Sequence, residues 1–126
     1  MFGKTKAFSS FSVNDLQQAK NFYQQTLGIE VESGEKEPVI TLKIAGMPSV
    51  LIYEKPSHTP ATFTVLNFPV SNVEEAVDQL TAKGIKFQQY EGELKTDKKG
   101  IFRGGGPVIA WFTDPAGNIL SVMEQE

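Results

Sequence analysis

The chain carries one histidine and no cysteine, so imidazole chemistry has a single source and thiolate chemistry has none. A disulfide, a thiolate nucleophile and a zinc–thiolate site are all excluded. His58 stands between Pro56 and Pro60. It reads either as a surface or turn histidine or as a lone general base, with Glu54 as its partner. Arg103 precedes Gly104-Gly105-Gly106 inside a stretch, 91–107, rich in charge and glycine. No Gly-Lys-Ser/Thr follows and the next element reads as a strand, so this is not a phosphate loop. The stretch reads as a loop between strands, or as a lid whose Arg103 meets an anionic group on a ligand. Trp111 reads as core or dimer packing, or as a ring that stacks on a ligand.

The elements that must position these groups come from an internal repeat. Phe11-Ser-Val13-Asn14-Asp15-Leu16-Gln-Gln-Ala19 recurs 57 positions on as Phe68-Pro-Val70-Ser71-Asn72-Val73-Glu-Glu-Ala76. Tyr23 then matches Leu80 and, after a one-residue gap, Gly28-Ile29 matches Gly84-Ile85. Each copy opens on a strand rich in aromatic, β-branched and serine residues, Ala7 to Val13 and Phe63 to Val70. Asn14 and Ser71 are expected to cap the helices that follow, with Gln17 and Glu74 completing capping boxes. Leu16, Ala19, Phe22, Tyr23 and Leu27 recur at helical spacing, as do Val73, Ala76, Val77 and Leu80. Gly28 and Gly84 stand where a left-handed residue ends a helix. Three strands follow each helix: Ile29–Glu32, Val39–Ile44 and Ser49–Tyr53, then Ile85–Tyr90, Val108–Phe112 and Ile119–Met123. The turns within them are Ala45–Pro48 and Asp114–Gly117. The prediction is an α+β fold of two tandem βαβββ modules, about 5–55 and 62–126, forming a single domain over 1–126.

The sequence resembles the vicinal oxygen chelate superfamily, which includes glyoxalase I, extradiol dioxygenases and bleomycin resistance proteins. The likeness lies in Val13-Asn-Asp15-Leu16-x5-Phe22-Tyr23-x3-Leu27-Gly28, in the Asn72-x-x-Glu75-Ala76 helix start, and in Val108-Ile-Ala-Trp-Phe-Thr-Asp114-Pro115-x-Gly117-Asn118. With the repeat, these cover nearly the whole chain. The resemblance implies a curled mixed sheet around a cleft and, commonly, a homodimer. Metal-dependent members place four ligands, usually His, Gln or Glu, on four strands of that cleft. The matching positions here are Phe8, Ile52, Val65 and Ser121, with Glu54 on the same strand face as Ile52. Three offer no lone pair to a divalent cation and the fourth offers a neutral hydroxyl. The expectation is therefore no metal and no cofactor.

Strand alternation assigns Phe8, Ser10, Ser12, Ile52, Glu54, Phe63, Val65, Asn67, Ile119, Ser121 and Met123 to the cleft face. Most are apolar, suited to a flat organic group, while Ser10, Glu54, Asn67 and Ser121 could orient it by hydrogen bonds. The same side chains could equally fill the cleft and satisfy one another.

With 40% apolar and 21% charged residues the composition is globular. A net charge of −3 argues against nucleic acid as a partner, which requires clustered cations, and weakly suits a cationic ligand. No run of about 18 apolar residues exists to span a bilayer. The N-terminus lacks the apolar stretch of a secretory signal, so a cytoplasmic location is expected. Two functions stand: a metal-independent protein that sequesters an unidentified small organic molecule, or a glyoxalase- or dioxygenase-type enzyme. That enzyme would use a displaced metal, or His58 and Glu54 without metal.

Overall fold

Both helices start at a residue whose side chain replaces a missing backbone acceptor. The computed structural model describes residues 1–125. In it, Asp15 accepts from the backbone N–H of Gln18 at 3.1 Å, and Asn72 from that of Glu75 at 3.0 Å. Their backbones are nearly superposable, φ −142° and ψ 106° against φ −146° and ψ 107°. The caps thus fall one residue later than the expected Asn14 and Ser71. The capping frame is Asp15-x-x-Gln18 and Asn72-x-x-Glu75, because the side-chain oxygen must reach the amide three residues on.

The chain divides into two units, Met1–Pro60 and Ala61–Glu126. The first contains β1 (Ser10–Val13), α1 (Leu16–Asn21), β2 (Glu30–Ser33), β3 (Val39–Lys43) and β4 (Val50–Glu54). α1 continues as one π-helical turn, Phe22–Thr26, closed by the bond from Leu27 N to the Phe22 carbonyl. Gly28, at φ +70°, then ends it in the left-handed region. The sheet order is β1-β4-β3-β2, with β1 parallel to β4 and the other pairs antiparallel. Val13, Ile40, Leu42, Val50 and Ile52 form its buried face with Ala19 and Tyr23 of the helical segment.

The second unit contains β5 (Thr64–Val70), α2 (Val73–Ala82), β6 (Ile101–Phe102), β7 (Ile109–Thr113) and β8 (Ile119–Glu124). Its order, β5-β8-β7-β6, repeats the first, again with the outer helix-preceding strand parallel to the last. The expected strand Ile85–Tyr90 is not formed. Ile85 and Phe87 alternate with polar residues as a strand would, but they do so because they bury against the core. Ile101 and Phe102 pair with Ala110 and Ile109, while Gln88 N reaches only the Trp111 carbonyl, at 2.8 Å. Two segments share the outer edge of β7, so the fourth strand comes from the stretch read as a loop. Among the described residues, no helix is long and apolar enough to cross a membrane.

Candidate functional site

In each unit one face of the sheet meets the helix and the other is left open. In the first, pairing sets Ser10 opposite Leu51 and Ser12 opposite Tyr53 on the open face. Phe11 pairs with Ile52 and Val13 with Glu54 on the helix side, where the Phe11 and Tyr23 rings lie 6.3 Å apart. The assignment of Ile52 and Glu54 to the ligand face is thereby corrected. Ile52 is fully buried beneath the helix, and the residue facing Ser10 is Leu51. Alternation fixes relative faces within a strand but not the phase between two strands, and phase is what failed. Glu54 instead accepts from Leu16 N at 3.0 Å, at the start of α1.

His58 finds a different partner from the expected Glu54. After β4 the chain turns at Lys55-Pro56-Ser57-His58, with His58 N bonded to the Lys55 carbonyl at 2.9 Å. Pro56 holds the second position of that turn, where its fixed φ is already suitable. The turn sets His58 Nδ1 at 2.7 Å from Ser12 Oγ, both residues half-buried. Sequence reading missed this pair, which joins residues 46 positions apart. The available signal was Ser12's place on the open face together with the proline-built turn.

In the second unit Asn67 faces Ser121, and Ser121 faces Trp111. Ser121 is completely buried and its hydroxyl donates to Asn67 Oδ1 at 2.5 Å. Trp111 is flanked by Tyr90, edge-on at 5.6 Å, and by Phe102 at 6.2 Å. The result is an aromatic wall beside a polar pair. Val65 falls at a bulge, which places Thr64 opposite Ile119 and breaks the alternation expected to run through Phe63, Val65 and Asn67. Phe8 and Phe63 are 64% and 67% exposed.

Arg103 does not stand ready for an anionic ligand. Its Nη2 donates to Glu74 of α2 at 3.3 Å, and its Nε lies 3.7 Å from Asp97. Lys99 binds Glu74 and Asp78 at 3.1 and 3.0 Å, so the segment read as a lid is tied down to α2. Asp97 orders the same segment by accepting from Lys99 N and Ile101 N. A groove of about 1010 Å³ runs between α2 and residues 84–89, and none of the expected ligand-binding residues lines it.

The donor set at the positions marked by the resemblance does not fit a divalent metal. Phe8, Val65 and either Ile52 or Leu51 present hydrocarbon, and the Ser121 hydroxyl is committed to Asn67. Among the described residues, no three His, Cys, Asp or Glu side chains gather closely enough to hold an ion. Transition metals require three or four such ligands.

Comparison with known proteins matches residues 8–122 to the Glyoxalase/Bleomycin resistance protein/Dioxygenase superfamily. A superfamily member from Sphaerobacter thermophilus is similar at 22% identity and TM-score 0.72, covering 99% of this chain and 100% of that one. The fosfomycin resistance protein FosX from Listeria monocytogenes is similar at 17% identity and TM-score 0.71, over 98% and 94% of the two chains. Lactoylglutathione lyase from Agrobacterium tumefaciens is similar at 18% identity and TM-score 0.67, over 96% and 93%. No curated protein matches the sequence. At these identities the solved structures speak to the fold.

Proposed function

The chain belongs to the Glyoxalase/Bleomycin resistance protein/Dioxygenase superfamily, and on that premise we propose that it binds a small organic molecule without a metal. One observation carries this reading: hydrocarbon and an already bonded hydroxyl occupy the positions where metal-dependent members carry ligands. Trp111, with Tyr90 and Phe102 against it, offers a flat apolar surface, and Asn67 beside it offers an amide for orientation. Val65 belongs to this proposed surface of the second unit, and Phe8 and Ser10 to a proposed binding surface of the first, whereas Arg103 and Glu54 are withdrawn by their partners. A homodimer acting as one domain in each subunit, and a cytoplasmic location suited to a chain without cysteine, complete the proposal.

A thermal-shift screen of flat and cationic compounds tests it. A ligand present at a hundred times its Kd adds about 2.7 kcal/mol of stability by mass action. The shift is expected to survive chelator and to vanish in Val65→Asp for a ligand of the second unit, or in Phe8→Asp for one of the first. Binding by those variants equal to wild type would place the ligand elsewhere. One tightly held transition metal per subunit among these side chains would overturn the proposal.

A second reading, an enzyme of glyoxalase or dioxygenase type with a non-standard or metal-free site, is favoured by the Ser12–His58 contact. One similar structure carries the name of a lyase, which suits that reading.

A further inference from the structure

A serine hydroxyl within hydrogen-bond reach of an imidazole nitrogen is the first requirement of an activated oxygen nucleophile. The first unit meets it, with Ser12 Oγ 2.7 Å from His58 Nδ1. We propose that Ser12, activated by His58, accepts acyl groups from small activated carboxylic esters. The inference stands apart from whatever the second sheet binds.

Two features support it. The pair is held by backbone rather than by two flexible side chains meeting at a surface. Ser12 is fixed in the β1–β4 ladder, and His58 is fixed by the Lys55–His58 turn, itself joined to β1 through the bond from Lys55 N to the Val13 carbonyl at 2.9 Å. Ser12 also lies on the open face, between Ser10 along its strand and Tyr53 across from it, and both neighbours are exposed. Directly paired side chains in a sheet have Cβ atoms about 5 Å apart, so the Tyr53 side chain starts beside that of Ser12.

The step balances without a cofactor. With His58 protonated at Nε2, Nδ1 takes the Ser12 proton as Oγ bonds to the ester carbonyl carbon. Collapse of the tetrahedral adduct breaks the bond to the leaving alkoxide or phenoxide, which receives that proton from the imidazolium. Water then attacks acyl-Ser12, losing a proton to Nδ1, and collapse of that adduct releases the carboxylic acid while the imidazolium returns the proton to Ser12 Oγ.

The test treats the full chain with a fluorophosphonate, which transfers phosphorus to an activated serine and loses fluoride, and locates the adduct by peptide mass. Nitrophenolate release from p-nitrophenyl acetate is followed in parallel. The expected result is one adduct, on Ser12, with the same labelling in Ser57→Ala and none in Ser12→Ala. General-base assistance is worth roughly 10² or more in rate, so His58→Gln should slow both reactions by about that factor. Should Ser12→Ala fail to fold, the position of the adduct in the unaltered chain decides the matter. Absence of an adduct, an adduct on another residue, or labelling of Ser12 that His58→Gln leaves undiminished would overturn the proposal.

Discussion

The two units build the same strand order and the same helix cap from a duplicated pattern, yet they close their last hairpins by unlike means. The first turns at Ala45–Pro48, an exposed stretch with Gly46 at φ +80°. The second turns around the buried carboxylate of Asp114. Asp114 Oδ1 accepts from Ala116 N and Asn118 N, both at 2.9 Å, and Oδ2 from Asn118 Nδ2 at 3.0 Å. The Asp-Pro-x-Gly-Asn signature is therefore architectural. It pins the β7–β8 hairpin, and through it the register that brings Ser121 beside Asn67 and Trp111. The open faces differ as well: Ser12 with His58 in the first unit, an aromatic wall with a serine–asparagine pair in the second. Duplication conserved the scaffold, and the side chains on the open faces diverged.

The largest expected effect separates the two turns. Asp114→Ala leaves three buried or half-buried donors without their acceptor and should cost about 3 kcal/mol in chemical denaturation. Met47→Ala in the first turn should stay within about 0.5 kcal/mol, as surface changes do. Comparable losses would erase the contrast between the hairpins.

Next come the caps, where the units are expected to behave alike. Asp15→Ala and Asn72→Ala should each lose about 1 kcal/mol, and the double variant the sum, since the caps share no partner. Replacing Asn14 or Ser71 by alanine should do much less. The reverse ranking would restore the capping frame first read from the sequence.

Smaller still is the clamp found in the second unit alone. Arg103→Ala removes exposed ion pairs to Glu74 and Asp97 and should cost about 0.5 kcal/mol at most, less in high salt. Hydrogen bonds to Asp78 and then Glu74 raise the Lys99 ammonium above its ordinary 10.5. A raised cation contributes stability that is complete below that ordinary value and disappears as pH climbs through the folded-state value. Melting curves should therefore show no loss of this contribution at neutral pH and a Lys99-dependent loss only under strongly alkaline conditions. A Lys99→Met variant with an unchanged alkaline limb would remove the clamp from the account.

Much of this architecture was legible because it is written in local patterns. Helical spacing gave both helices, and φ values of +70° and +93° at Gly28 and Gly84 match the predicted left-handed ends. Other features depended on which segments compete for one edge. Residues 85–90 have a strand's alternation, yet β6 takes the free edge of β7 at Ile109 and Ala110 and leaves them only the Trp111 carbonyl. The bulge at Val65 sets Thr64 opposite Ile119 and breaks the alternation read through Phe63, Val65 and Asn67, and a bulge is a property of two strands together. Ile52 was misplaced for the related reason that the phase of β4 against β1 is set by their ladder.

By itself the sequence determined the duplicated plan, the glycine ends of both helices and the scarcity of imidazole and thiolate donors, since residue types and short spacings carry that information. Only the tertiary structure decided which polar groups meet: His58 with Ser12, Glu54 with a helix start, Arg103 with α2. Such meetings join residues far apart in the chain. Their distances follow from strand register and turn geometry, and one residue of slip is enough to send a side chain to the other face.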